Sequence, residues 1–302
     1  MVKKIMVPLD GSKAVESALQ WSAELGRMFH ARIVLFHAIE ENPPEHIHGE
    51  SHLRTEGEAI EYLERAISNL RSNFNFEGAV STHVHVEETS DVATSIAVHM
   101  EELDPDLIVM CSHGRSGFTR TFIGSLATRV IGLGVVPVFL IKPETNVGGA
   151  MIFERVFVPL DNASIHDRAI PFGEEFARAS GATLTLLSVV PKFGSLKGRD
   201  GGWGLMSPAT STALLELEEA SMGEHLDEHA SQSAARGLAV ETKVVRGDPA
   251  KKIAQEAARR TPSLIVLGTH GRSGTEAFWK GSVAAKVAAL SKSPLLLVPL
   301  RE

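Results

Sequence analysis

A chain that carries the same strand-to-loop segment twice is constrained to fold as two similar units. Cys111-Ser-His-Gly-Arg-Ser-Gly117 and Gly268-Thr-His-Gly-Arg-Ser-Gly274 are near copies of each other. Each follows an apolar run, Leu107-Ile-Val-Met110 or Leu264-Ile-Val-Leu267, and each leads to a Gly-Ser pair, Gly124-Ser125 or Gly281-Ser282. His113 and His270 lie 157 residues apart, and so do Ser125 and Ser282. A strand that runs through a glycine loop into a helix commonly wraps its backbone amides around phosphate. The expectation is a tandem repeat that holds a phosphate-bearing ligand.

A length of 302 residues suits two domains of about 150 residues each. A hydrophobic fraction of 43% is enough for two ordinary cores. The net charge of −7, with no block of lysine and arginine, argues against a nucleic-acid surface. Cys111 has no second cysteine to pair with, which fits a reducing compartment. The opening Met1-Val-Lys-Lys-Ile-Met-Val-Pro-Leu-Asp10 reads as a strand and not as a signal peptide. No apolar run approaches the ~20 residues of a membrane span. A cytoplasmic protein without a membrane partner is expected.

The repeats open with Ile5-Met-Val-Pro-Leu-Asp10-Gly-Ser12 and Val156-Phe-Val-Pro-Leu-Asp161-Asn-Ala-Ser164, with the aspartates 151 residues apart. The spacing has grown by six at the glycine loop, and residues 192–213, rich in glycine, serine and proline, are assigned to an enlarged loop. In repeat one, helical periodicity covers residues 14–29, with Ser12 as its N-cap, and then 56–71, 92–102 and 124–132. Strands are expected at 32–38, 80–86, 107–110 and 138–141, and repeat two follows the same order to 295–298. Strands that are continuous apolar runs separated by helices indicate a parallel sheet covered on both faces. The expected architecture is α/β, with two tandem open parallel-sheet domains of Rossmann-like type. The first covers residues 1–143, the second 154–302, and 144–153 is a linker. Pairing of the last strands, 138–141 and 295–298, would cover two apolar edges and make an internal pseudo-dimer; a further homodimer stays open.

Ligands of open parallel sheets sit beyond the carboxyl ends of strands, where strand order reverses. The first and fourth strands of each repeat could meet at such a crevice. Asp10 and Asp161 would then accept from ribose hydroxyls, and Ser125 and Ser282 would add hydroxyls and helix-terminal amides for an anion. The same aspartates could equally close a turn or cap a helix, and a glycine loop can be only a tight turn. Arg115 and Arg272 could reach phosphate or face solvent. His113 and His270 suit hydrogen bonding within the loops, since nothing supplies an orienting acid or a nucleophile. His46, His48 and His52, with His83 and His85 on a later strand, could ligate zinc or form a solvated polar loop; His48 and His52 share a face only if the segment is helical. No metal is assigned. Cys111 reads as a buried, inert thiol, with a redox-sensing thiol of lowered pKa as the alternative.

Gly268-x-x-Gly271, nine residues and then Gly281-Ser282 resembles the phosphate-loop pattern of ATP-binding universal stress proteins. The opening Val-Pro-Leu-Asp and the closing Pro294-Leu-Leu-Leu-Val298 are also similar to that family, and the resemblance covers nearly the whole chain as two tandem domains. It implies five parallel strands per repeat, in a fold like that of the adenine nucleotide alpha hydrolases. It also implies ATP, or AMP or ADP, in some cases with Mg. Adenine would lie near the end of the second strand, ribose on the aspartate and phosphates in the glycine loop. Carried over residue by residue, the repeat-two positions are Pro159, Asp161, Val189, Gly268, Gly271, Gly281, Ser282 and Val283, with Arg272 as a phosphate candidate. The repeat-one positions are Pro8, Asp10, Ala38, Gly114, Gly124, Ser125 and Leu126. Cys111 stands where the first glycine belongs. If that position needs positive φ, a side chain costs roughly 1–2 kcal/mol; otherwise it crowds the ligand. A stronger site in repeat two is therefore expected. Binding without fast turnover fits residues that position a nucleotide but supply no base. A slow ATPase and a nucleotide-free interaction scaffold are the alternatives. No lysine directly precedes Ser125 or Ser282, as a Walker loop requires.

Overall fold

The structure is a computed structural model that describes residues 1–12, 17–43, 45–47, 50–112, 123–142, 153–190, 208–270 and 282–300. In the first repeat β1 (Lys4–Pro8), α1 (Ser17–Phe29) and β2 (Arg32–Glu40) are followed by a small hairpin, β3 (His46–Ile47) and β4 (Glu50–Ser51). Then come α2 (Glu56–Ser72), β5 (Val80–Thr89), α3 (Val92–Leu103), β6 (Leu107–Cys111), α4 (Ser125–Leu133) and β7 (Val138–Ile141). The second repeat has β8 (Arg155–Leu160), a 3-10 turn (His166–Ala169), α5 (Ile170–Ser180), β9 (Thr183–Val190) and α6 (Pro208–Ala235). It continues with β10 (Val240–Arg246), α7 (Pro249–Ala258), β11 (Ser263–His270), α8 (Val283–Leu290) and β12 (Leu295–Leu300).

Ten of these strands form one sheet in the order β10-β9-β8-β11-β12-β7-β6-β1-β2-β5. Each repeat contributes five parallel strands to this sheet, whose only antiparallel seam among the described residues is β7 against β12, with Leu140 opposite Leu295 and Val138 opposite Leu297. The last strands, which would be apolar edges in isolated repeats, thus lie at the centre of the sheet. The edges are β5 and β10, both of which carry exposed polar residues. Polar edges of this kind discourage pairing with the strands of other chains.

Alternation along the strands builds two core layers. Ile5, Ile33, Leu107, Phe139, Val156, Leu184, Leu264 and Leu296 face α1, α2, α5 and α6. Met6, Phe36, Ile108, Leu140, Phe157, Leu187, Ile265 and Leu297 face α3, α4, α7 and α8. The helices begin where local chemistry satisfies their free amides. Thr55 and Glu58 form a reciprocal capping box on α2, Asp91 caps α3 and Asp248 caps α7. Aromatic rings cross the seam: Trp21 lies 5.4 Å from Phe139 and 5.8 Å from Phe153, and Phe139 stacks on Phe176 at 6.2 Å.

The loop expected over residues 192–213 is corrected in part. Residues 208–213 belong to α6, which has 28 residues against 17 in α2, so extra length in repeat two goes into helix. Pro208 is tolerated there because a first-turn residue has no intrahelical amide bond to lose. No helix among the described residues is long and apolar enough to cross a membrane.

Candidate functional site

Strand order reverses where β1 meets β6 and where β8 meets β11. Met6 is opposite Ile108, so Asp10 emerges at the level of Ser112, at the head of the first glycine loop. Phe157 is opposite Ile265, so Asp161 emerges at the level of Thr269. Parallel pairing alone delivers an aspartate and a glycine-loop strand to one mouth in each repeat.

Both aspartates are engaged locally. Asp10 Oδ1 accepts from the Ser12 amide at 3.0 Å and the Ser12 hydroxyl at 2.7 Å, and Gly11 between them adopts φ +89°. Asp161 Oδ1 accepts from the Ala163 amide at 3.0 Å and lies 2.5 Å from His166 Nδ1. The turn-closing role is therefore present at both positions, and it occupies Oδ1. Partial burial pushes the Asp161 carboxyl up, but the His166 and Ala163 hydrogen bonds outweigh it and hold the pKa below its usual value. The same hydrogen bond raises His166 against its own desolvation, so each partner stabilises the other's charged form.

Pro8 ends β1 opposite Phe36, and Pro159, the penultimate residue of β8, lies opposite Leu187. Ala38, on β2, is buried in the α3–α4 core layer, and Val189 packs against the corresponding α7–α8 layer. Gly124 donates its amide to the Ser112 carbonyl at 2.6 Å, and Ser125 and Leu126 form the first turn of α4. Ser282 caps α8 by accepting from the Ala285 amide at 3.1 Å, and Val283, the first helical residue, is exposed. Gly114, Gly271, Arg272 and Gly281, with His113 and Arg115, lie outside the described residues, as does the side chain of His270.

Of the two reasons offered for the Gly268 and Cys111 difference, the backbone one does not hold. Gly268 does not adopt positive φ, so strain at that backbone is not what excludes a side chain. A β-carbon there would come within 2.6 Å of Leu300 Cδ1 and 3.1 Å of its Cγ, so a neighbouring leucine occupies the space. Cys111 has its Sγ 3.0 Å from the Ser17 hydroxyl of α1. Burial pushes the thiol up to about 11, the reverse of an activated sensor thiol. At pH 8 a thiol of this kind is almost wholly protonated. Folded protein is expected to react with iodoacetamide at least roughly a hundredfold more slowly than unfolded protein. Mass spectrometry of the Cys111 peptide along a labelling time course checks this, and fast labelling of the native state would contradict the assignment.

His166 was not legible beforehand, because a contact from residue 161 to 166 across a 3-10 turn leaves no periodic mark. The turn that carries it packs against β8, β11 and β12, at the mouth of the second sheet half. His46–Ile47 and Glu50–Ser51 pair as short antiparallel strands and not as a helix, so the described residues do not meet the shared-face condition. His52 is buried, with Nε2 3.6 Å from Glu40 Oε1, while His48 and the side chain of His46 are outside the described residues. Buried His37 places Nδ1 2.7 Å from the Leu9 carbonyl, and that carbonyl can only accept. Desolvation lowers its pKa. A broad cavity of about 1080 Å³ lies at the opposite, amino end of the first-repeat strands, lined by Lys3, Arg27, His30, Asn75, Asp104 and Asp106. It lies at the end of the strands away from the first-repeat mouth.

Two parallel half-sheets joined through their last strands, with an aspartate at each switch point, define a tandem α/β protein of the doubly wound class. The sequence model of the universal stress protein family matches residues 1–142 and 152–299, and the chain belongs to that family. Universal stress protein YxiE of Bacillus subtilis is 30% identical over 158 residues, covering 49% of this chain and 99% of its own length. Universal stress protein Mb2028c of Mycobacterium bovis is 22% identical over 299 residues, covering 97% of this chain and 96% of its own. The crystal structure of a universal stress protein from Archaeoglobus fulgidus superposes with a TM-score of 0.68 at 19% identity, over 99% of this chain and 97% of that one. That likeness shows the fold.

Proposed function

We infer that the chain is an adenine-nucleotide-binding regulatory protein, made of units 1–143 and 154–302 joined by 144–153, that holds ATP, or AMP or ADP, without fast turnover. The observation that carries this reading is the convergence, in both repeats, of a strand-end aspartate and a glycine-loop strand at the sheet's switch point. Asp161 stays ionised at neutral pH, because its net pKa is lowered, so it can accept from ribose hydroxyls. The glycine spacing Gly268, Gly271 and Gly281 is unbroken in repeat two, which favours the second repeat as the stronger site. Mg would enter with the phosphates. A location in the cytoplasm fits the single cysteine.

Mass spectrometry of nucleotide released from freshly purified protein, counted per chain, tests the reading directly. In calorimetry, Asp161→Ala is expected to weaken ATP binding by about tenfold, or ~1.4 kcal/mol, through one lost hydrogen-bonding group. Asp10→Ala is expected to change the stronger phase little. Protein that emerges empty and takes up no ATP would refute the nucleotide assignment, and a stronger phase lost with Asp10 would reverse the order of the sites.

A further inference from the structure

Beside the second mouth, on the turn that also carries His166, a cluster of described residues places three ligating atoms together. Asp167 Oδ1 is 3.0 Å from His225 Nε2, and Asp167 Oδ2 is 3.4 Å from His229 Nε2. All three donors lie within 4.8 Å of one another. His225 and His229 are four residues apart on α6, so both rings project from one face, and the rings stand at 82° to each other. Asp167 comes from the 3-10 turn behind β8, so the cluster joins two elements distant in sequence. The side chains are 17–25% exposed, close enough to the surface for an ion to enter yet shielded enough to hold it.

We propose that Asp167, His225 and His229 bind a divalent transition metal of the zinc class. The His-x3-His spacing on a helix is a recurrent zinc arrangement. Zinc bonds of about 2.0–2.1 Å place tetrahedral ligand atoms ~3.3 Å apart, and the two measured separations bracket that value. The 3.4 Å separation is long for a hydrogen bond, so ordinary pairing accounts for only one of the two histidines well. Three protein ligands leave the fourth position for water. The donor set is two imidazoles and one carboxylate, which selects zinc or cobalt over magnesium or calcium. Helix α2, the repeat-one counterpart of α6, contains no histidine, so the site belongs to repeat two alone. A second group, His83, His99 and Glu102, is the weaker candidate, because Glu102 is 62% exposed and its oxygen lies 3.7 Å from His99 Nε2.

The test is titration of the full, untagged, chelator-stripped chain with Co2+, read by the visible absorption of tetrahedral cobalt, and then displacement by Zn2+. One Co2+ per chain is expected at this site, with binding at least about a hundredfold weaker in His225→Ala, His229→Ala and the isosteric Asp167→Asn. His83→Ala is expected to leave that signal unchanged. Zinc-edge X-ray absorption of the wild-type chain should show two imidazoles and oxygen ligands, a readout that does not depend on the variants folding. Absence of uptake, a signal insensitive to all three substitutions, or a signal lost with His83 would each overturn the assignment.

Discussion

Phe139→Ala is expected to destabilise the whole protein by about 3–5 kcal/mol, the usual cost of emptying a fully buried phenylalanine site. Phe139 is completely buried at the centre of β7, the strand that pairs with β12. Its ring meets Trp21, Phe153 and Phe176, so one substitution removes contacts on both sides of the seam between repeats. The rim of this hole is itself aromatic and anchored in two sheet halves, which limits how far it can collapse. Urea denaturation followed by circular dichroism and tryptophan fluorescence measures the effect. The midpoint should fall by the same amount in both signals, with an unchanged slope, because the two repeats share one core layer. A loss below ~1 kcal/mol, or two well-separated transitions in the wild type, would show that the seam carries little of the stability.

Gly268→Val is expected to cost about 1–3 kcal/mol through overpacking, even in protein free of nucleotide. A β-carbon at 2.6 Å from Leu300 Cδ1 cannot be accommodated in place. Alanine should be milder, because the end of Leu300 can rotate, but the branched valine has no such relief. Leu300→Ala in the same chain should return part of the loss, a coupling of roughly 0.5–3 kcal/mol between residues in contact. Additive losses in this double-mutant cycle would rule out Leu300 as the reason for glycine. The result also divides two roles that sequence alone merges. A phosphate-loop glycine without a packing role should lose nucleotide and keep its stability, whereas this one should lose stability first.

Much of the fold was legible. The apolar runs Leu107–Met110 and Leu264–Leu267, each leading into a glycine-rich segment, lie within β6 and β11, and residues 138–141 match β7. Strands buried on both faces print themselves as unbroken hydrophobic runs, and covering helices print a 3.6-residue period. The expected loop at 208–213 failed because serine, threonine and proline suit a helix start as well as a turn. The site was legible only in outline. Asp10 and Asp161 stand at the mouths by register, but the Ser12 and His166 contacts depend on short turns with no periodic signature.

Duplication, strand and helix order, and the chemistry available at each loop are properties of the chain, because they depend on neighbours in sequence and on side-chain type. Which surfaces face each other was decided only by tertiary structure. Leu300 against Gly268, the aromatic seam through Phe139, and Asp167 between His225 and His229 each join residues tens of positions apart. Such contacts are selected by the shape of the assembled sheet, in which closing the chain brings together groups that carry no mark of one another in the sequence.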